Sequence, residues 1–289
     1  MRAATRSSGD SASMVSGEFP MTAEDFRRIS AILHEDSGIH LPEGKAALVY
    51  SRLAKRLRIL GLESFRDYCS FVAGSEGLDE RRAMLAALTT NVTRFFREPH
   101  HFEHLKNLLA GGLAAKAKAG NRLRIWSAGC STGEEPYSIA MTVLAALPNA
   151  AELDVRILAS DIDPNVVATA QAGIYRANAA SQIPPAMRGR LRSHGNDDEV
   201  AVDPSVKDLI AFRELNLMGD WPMKGSFDVI FCRNVAIYFE EATQARLWSR
   251  FAGKLAPGGR LYVGHSERVA DPKLKTDGLT VYRLAGSGG

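Results

Sequence analysis

From Thr22 onward apolar positions return at helical intervals. Phe26, Ile29, Ile32 and Leu33 fall on one face, Thr22 and Asp25 supply a cap and an acidic first turn, and Gly38 stops the run. A second helical pattern covers about 43–60 and ends at Gly61. It predicts Leu48, Leu53, Leu57 and Leu60 facing inward and Lys45, Arg52, Lys55, Arg56 and Arg58 facing water, a charge of about +4 once Glu43 is counted. Two further stretches, 64–72 and 78–88, complete a small all-helical N-terminal domain over 20–90. Residues 1–19 are rich in Ser, Ala and Gly with almost nothing large to bury, which predicts a disordered tail outside the fold.

A polar stretch over 89–99 and an Ala/Lys-rich helix to about 119 form a joint, so 91–120 is assigned to a linker helix. Beyond it the pattern changes to strand and helix in alternation: strand 123–127, helix 134–147, strand 155–160, helix 165–172. Such alternation predicts a parallel sheet wound right-handed with helices on both faces, a Rossmann-like α/β domain over 121–289. The stretch 174–217 breaks the rhythm. Strand-like pieces at 199–202 and 209–214, either side of the Asp203-Pro204 turn signal, predict an inserted antiparallel β-subdomain. The sheet resumes with strand 227–232, helix 241–255, a Pro257-Gly258-Gly259 turn, strand 260–264 and a last strand over 279–284.

Composition narrows the function. A chain of 289 residues has room for one large domain and a smaller companion, and 36 Lys+Arg against 33 Asp+Glu leaves +3, too little to make nucleic acid an obligatory partner. Cys69, Cys130 and Cys232 lack C-x-x-C or His-pair spacing, so they read as reduced thiols and no metal site is expected. No apolar run reaches the roughly 20 residues of a membrane span, and the N-terminus lacks a signal-peptide core. The expectation is a cytoplasmic protein, monomeric and without direct membrane insertion.

The segment Ile125-Trp126-Ser127-Ala128-Gly129-Cys130-Ser131-Thr132-Gly133-Glu134-Glu135-Pro136 reads as strand, glycine turn and helix start. Gly129 and Gly133 would let the backbone pass close to a ligand, although two glycines in a turn also suit a purely structural loop. The next strand ends in Ser160-Asp161-Ile162-Asp163. A carboxylate at that tip is placed to accept from both hydroxyls of a ribose, and Asp161 takes that role while Asp163 caps the helix starting at Pro164. Two carboxylates directly after the loop would repel a pyrophosphate, so the ligand should carry positive charge. S-adenosylmethionine fits, with a ribose for Asp161 and an ammonium for Glu134 or Glu135. Of the two, Glu134 is the favoured contact and the other gains from the helix N-terminus.

Five segments in order then resemble the chemotaxis-receptor (CheR-type) protein-glutamate O-methyltransferases: Asn91-Val92-Thr93-Arg94-Phe95-Phe96-Arg97-Glu98, Ser131-Thr132-Gly133-Glu134-Glu135-Pro136-Tyr137-Ser138, Ala159-Ser160-Asp161-Ile162-Asp163, Phe231-Cys232-Arg233-Asn234-Val235 with Ile237-Tyr238-Phe239, and Gly264-His265-Ser266-Glu267. The resemblance runs over about 21–284 and implies a class I S-adenosylmethionine-dependent methyltransferase fold. It implies cofactor contacts from Asn91, Thr93, Arg97, Gly129, Glu134 or Glu135, Asp161, Asn216, Leu217, Arg233 and Asn234. Arg97 and Tyr238 would lie nearest the methyl group as catalytic residues, and S-adenosylhomocysteine would be the product. The implied partners are the cytoplasmic methylation helices of chemotaxis receptors, docked on Arg52, Lys55, Arg56 and Arg58. Ala236 departs from the family pattern, where a larger apolar residue is expected, and the insertion lacks the Gly-rich connection associated with gripping a receptor's C-terminal pentapeptide.

A carboxylate acceptor, with an unperturbed pKa of about 4.3, is already ionised at neutral pH, so no general base is required. His100, His101 and His104 accordingly read as ordinary helix-surface residues, and Trp126 and Trp221 as packing. Two other functions compete. A nucleic-acid methyltransferase would need a base-reading motif where Cys232-Arg233-Asn234-Val235 stands; a non-catalytic cofactor-sensing module would have no use for Arg97 and Tyr238.

Overall fold

The structure is a computed structural model that describes residues 13–286. The chain divides into two compact units, Met1–Thr89 and Thr90–Gly289. The first begins with a short antiparallel ladder of β1 (Ser13–Val15) and β2 (Met21–Thr22), followed by α1 (Ala23–Ser37), α2 (Ala46–Leu60), α3 (Phe65–Ala73) and α4 (Leu78–Leu88). Thr22 and Asp25 cap α1 reciprocally, each side chain accepting the other's backbone N–H at 3.2 and 3.0 Å, and Gly38 closes it in the left-handed region at φ 73°.

Two expectations for this unit are corrected. Of the tail assigned to 1–19, residues 1–12 lie outside the described residues, but 13–19 are folded: Ser13 and Val15 pair with β2, and Phe19 is buried. Gly17 passes so close to Tyr50 that a Cβ there would stand 2.0 Å from its Oη. The few apolar side chains of this run suffice because α2 gives them a wall to cover. The inward face of α2 is Ala46, Val49, Leu53, Ala54 and Leu57, while Leu48 and Leu60 are half-buried. The stripe extends back from Leu57 and Leu53 at steps of four and three, which leads through Val49 and Ala46 and leaves Leu48 to one side.

The second unit opens with α5 (His100–Leu108), a π-helical turn at Leu109–Leu113 and α6 (Ala114–Lys118). It continues through β3 (Leu123–Ala128), α7 (Glu134–Ala146), β4 (Val155–Asp161), α8 (Pro164–Ala172), β5 (Ile174–Arg176), β6 (Leu191–His194), β7 (Asn196–Val202), α9 (Pro204–Lys207) and β8 (Ile210–Glu214). It closes with β9 (Phe227–Cys232), α10 (Glu241–Ala252), β10 (Leu255–Val263), β11 (Leu274–Gly278) and β12 (Val281–Leu284). The main sheet has the order β11-β12-β10-β9-β3-β4-β8. From β10 to β8 every neighbour is parallel; β12 runs antiparallel at one edge, and β11 pairs antiparallel with β12 beyond it. This is a doubly wound α/β sheet of the Rossmann-like kind expected, with a separate three-stranded antiparallel sheet, β5-β7-β6, and the N-terminal unit is helical apart from its short ladder.

The segment read as a linker helix belongs to this second unit. Phe95, Phe96, Phe102, Leu105, Leu109 and Ala117 join Ile125, Val155, Ile139, Val143 and Phe231 in one buried cluster. Most of its charged residues face outward, whereas His101 is buried with the apolar side chains.

The insertion differs from expectation in which strands pair. β7 pairs with β6 through a turn at Gly195 (φ 65°), whereas residues 210–214 run parallel to β4 as the edge of the main sheet. Asp203-Pro204 is not a hairpin turn but a helix start: Asp203 accepts the Ser205 N–H at 2.9 Å and Pro204 occupies the first turn of α9. The inserted β-subdomain therefore ends near Val202, short of 217. Residues 253–255 leave α10 for β10, and β11 adds a hairpin partner to the last strand, with Thr280 at φ 55° in its turn.

Candidate active site

The sheet order turns around between β3 and β9: later strands add outward on both sides of this pair. At such a switch point the loops leaving the carboxyl ends diverge and open a crevice. The loop after β3 carries Gly129 to Gly133, β4 ends at Asp161, β8 is followed by Asn216 and Leu217, and β9 by Arg233, Asn234 and Tyr238. The predicted cofactor residues thus converge on one sheet edge.

Gly129 adopts φ 83°, donates its N–H to the Ser160 carbonyl at 2.8 Å, and lies where a Cβ would stand 2.3 Å from Val235 Cγ2. Glycine is required there on both counts. The Asp161 carboxylate, 8% exposed, accepts the Ser131 N–H at 2.8 Å on one oxygen and the Asp163 N–H at 3.1 Å on the other. Burial pushes its pKa up, against the opposing pull of those backbone donors. Each carboxylate oxygen has a second lone pair, so Asp161 can fasten the glycine loop and still accept from a hydroxyl. Asp163 caps α8 through Asn165 N–H at 2.9 Å, and its other oxygen holds the Asn91 side chain at 3.0 Å. Asn91 in turn receives the Ser131 hydroxyl on its carbonyl at 2.9 Å, which ties the 91–97 stretch to the glycine loop.

The two glutamates that open α7 have different surroundings. Glu135 is buried, accepting from Ser127 Oγ at 2.7 Å and Arg233 Nη1 at 3.0 Å. Burial raises its pKa, with Arg233 pulling the other way. Glu134 is half-buried with one oxygen on Thr132 Oγ1 at 2.7 Å, and burial raises its pKa too. Arg233 continues the chain of charges: its Nη2 donates to the Arg97 carbonyl and lies 3.4 Å from Glu98 Oε2. Burial drives the Glu98 pKa up, but Arg233 and His265 outweigh it and hold the carboxyl below its usual range. The Arg233 side chain, 2% exposed, is enclosed by the protein.

Arg97 is half-buried and bends its guanidinium back to the Val92 carbonyl at 3.1 Å. Thr93 and Tyr238 are likewise half-buried. Asn216 Oδ1 accepts the Met218 N–H at 2.9 Å, and Leu217 is buried with its carbonyl on Arg250 at 2.6 Å. Ala236 is fully buried, with its N–H on Glu267 at 2.7 Å. Trp126 packs at the centre, edge-on to Trp221 at 4.8 Å between centroids.

The histidines are not all surface residues. His101 is fully buried, with Nε2 2.8 Å from Thr280 Oγ1, and burial lowers its pKa to about 3. His104 Nδ1 meets Tyr262 Oη at 2.7 Å. Among the described residues Glu98, His100 and His101 bring possible ligand atoms within 4.8 Å of one another. Arg233 already stands against that carboxylate, a poor setting for a second cation.

The docking candidates fare unevenly. Arg56 forks onto the buried Glu80, which also receives Tyr68 Oη at 2.8 Å. Arg52 donates to the Ala87 and Thr89 carbonyls at 3.1 and 2.6 Å. Both therefore hold α2 to α4. Arg58 is exposed and pairs with Glu18 at 2.8 Å, and Lys55 is exposed. Sequence reasoning gave no role to Ser127, Ser131, Glu98 or Glu267; the available signal was the placement of the last three inside otherwise matching motifs.

A parallel sheet with carboxylates rather than a phosphate cradle at its switch point defines the class, a methyltransferase with an S-adenosylmethionine-binding domain. A family model described as CheR methyltransferase, SAM binding domain matches residues 91–281, and one described as CheR methyltransferase, all-alpha domain matches 24–89. A Rhizobium etli relative is 53% identical over 263 residues, covering 89% of this chain and 98% of its own. The Pseudomonas aeruginosa chemotaxis protein methyltransferase 2 is 44% identical across 93% of this chain and 95% of its own, and the Escherichia coli chemotaxis protein methyltransferase 40% across 90% of each. The chain belongs to the CheR family of chemotaxis methyltransferases.

Proposed function

We propose that this protein transfers the methyl group of S-adenosylmethionine to glutamate side chains on the cytoplasmic helices of chemotaxis receptors, forming methyl esters. The observation that carries the reading is the pair of carboxylates at the switch point, Asp161 and Glu134, in a crevice whose glycine loop is fastened by a side chain rather than open to phosphate. Such a donor set suits a hydroxyl pair and an ammonium. When bound, the cofactor supplies an electrophilic methyl on a sulfonium.

The residues then have orienting work. Asp161 takes the ribose hydroxyls, Glu134 the ammonium, and the backbone at 216–217 and 233–234 lines the remainder, with Asn91 and Thr93 closing over it. Arg97 leaves Val92 to steer the acceptor carboxylate, and Tyr238 donates a hydrogen bond near the reacting oxygen. The acceptor is already an anion, so alignment and exclusion of water supply the acceleration, and no side chain has to take a proton. Lys55 and Arg58 offer positive charge to an acidic helix. A site inside the cell follows from such a substrate; among the described residues no helix is long and apolar enough to cross a membrane.

The test is transfer of labelled methyl from S-adenosylmethionine to receptor-bearing membranes. Base-labile label on receptor protein supports the ester; label on nucleic acid, or on nothing, refutes it.

A further inference from the structure

After β10 the chain turns through Gly264-His265-Ser266-Glu267 back over the end of β9. The Glu267 side chain is buried, 2% exposed, and its carboxylate collects backbone donors. Oε1 accepts the N–H groups of Val235, Ala236 and Ile237 at 3.0, 2.7 and 3.3 Å; Oε2 accepts those of Asn234 and Gly264 at 2.9 and 2.5 Å. Successive amides converge because Asn234 sits in the left-handed region at φ 60° before the right-handed Val235, a concavity that binds anions. Here the anion is the chain's own. Gly264 lets Asn234 pass close against it: a Cβ there would stand 2.5 Å from Asn234 Nδ2 and 2.9 Å from its backbone nitrogen.

The segment so held carries Asn234 at one end and Tyr238 at the other, and its Val235 fills the space that Gly129 leaves vacant. We propose that Glu267 is a positioning residue for methyl transfer, fixing 234–238 so that Asn234 faces the cofactor, Tyr238 faces the acceptor, and both stay in register with the glycine loop. This rests on the function proposed above. Replacing one carboxylate oxygen with an amide NH2 would set donor against donor at one end of the concavity and let the segment shift.

The experiment uses the full chain with Glu267→Gln, Glu267→Asp and Glu267→Ala, labelled S-adenosylmethionine and receptor membranes, with rates divided by the folded fraction from circular dichroism at a temperature where each variant is native. Glu267→Gln should lose roughly 10²-fold in kcat, the order that a displacement of about 1 Å costs, while the receptor KM changes little. Glu267→Asp should keep more activity than Glu267→Gln. Formate, a carboxylate small enough for the vacated space, should recover Glu267→Ala and leave the unsubstituted protein unaffected. The proposal is overturned if kcat per folded molecule stays within about threefold of the parent in both Glu267→Gln and Glu267→Ala, or if lost activity follows the unfolded fraction alone and formate restores none of it. A parent protein that transfers no methyl refutes the function itself, whereas an active parent matched by both Glu267→Gln and Glu267→Ala refutes only the positioning role.

Discussion

Arg233 Nη1 meets Glu135 Oε2 at 3.0 Å in the interior of the second unit, with 2% and 11% of the two side chains exposed. The pair joins the end of β9 to the start of α7 across the switch point, and the same guanidinium reaches Arg97 and Glu98. Crevice residues distant in sequence are thereby held to one another through a buried charge.

Arg233→Met should destabilise the protein by about 3–5 kcal/mol, because it strands a buried carboxylate without its partner. Adding Glu135→Gln should restore part of that loss, since the two effects share one interaction. Urea unfolding of the single and double variants measures both; strictly additive losses would show the pair to be uncoupled.

Asp161→Asn should weaken binding of S-adenosylhomocysteine by at least about tenfold. Hydrogen bonds to a charged acceptor contribute roughly 1.5–3 kcal/mol, and each tenfold in affinity is about 1.4 kcal/mol. Calorimetry on the purified chain reads it. An unchanged affinity would remove Asp161 from the cofactor site.

His101 links stability to pH. Burial, with Arg233 and His100 adding to it, lowers its pKa from 6.5 to about 3, so between those values the unfolded chain takes up a proton that the native ring refuses. The stability it contributes is complete above about pH 6.5 and is lost as pH falls toward 3, at up to about 1.4 kcal/mol per pH unit. In His101→Gln, which can still donate to Thr280, the slope of unfolding free energy across that window should be shallower by close to one proton. An identical slope would mean that the native ring titrates normally.

On α2 Lys55 and Arg58 are exposed, whereas Arg56 is committed to Glu80. Lys55→Glu should raise the KM for receptor while leaving S-adenosylhomocysteine affinity and Tm unchanged, the pattern expected of a rim charge. Arg56→Glu should lower Tm because it sets like charges together beside buried Tyr68. Equal effects of both substitutions on Tm would deny Lys55 a docking role.

Sequence by itself determined what depends on local chemistry. Thr22 and Asp25 cap α1, Gly38 and Gly61 end helices in the left-handed region, and 227–232 is a strand because six consecutive residues are buried on both faces of a parallel sheet. The glycine loop and Asp161 at a strand tip were legible for the same reason: a tight turn and an acid at the next strand's end are specified within a few residues of each other.

Tertiary structure alone decided what depends on which segment lies alongside which. Residues 210–214 are short and strand-like as a hairpin strand would be, and only pairing beside β4 places them in the main sheet. Lys55 and Arg56 are adjacent basic residues on one helix, yet Glu80, 24 positions further on, pairs with one of them and leaves the other to solvent. Glu267 gains its role because a turn after β10 delivers a carboxylate to amides more than thirty residues earlier in the chain. Long-range pairing of buried charge and dipole leaves no periodic mark on a sequence, because its two halves are brought together by packing of the apolar elements that carry them.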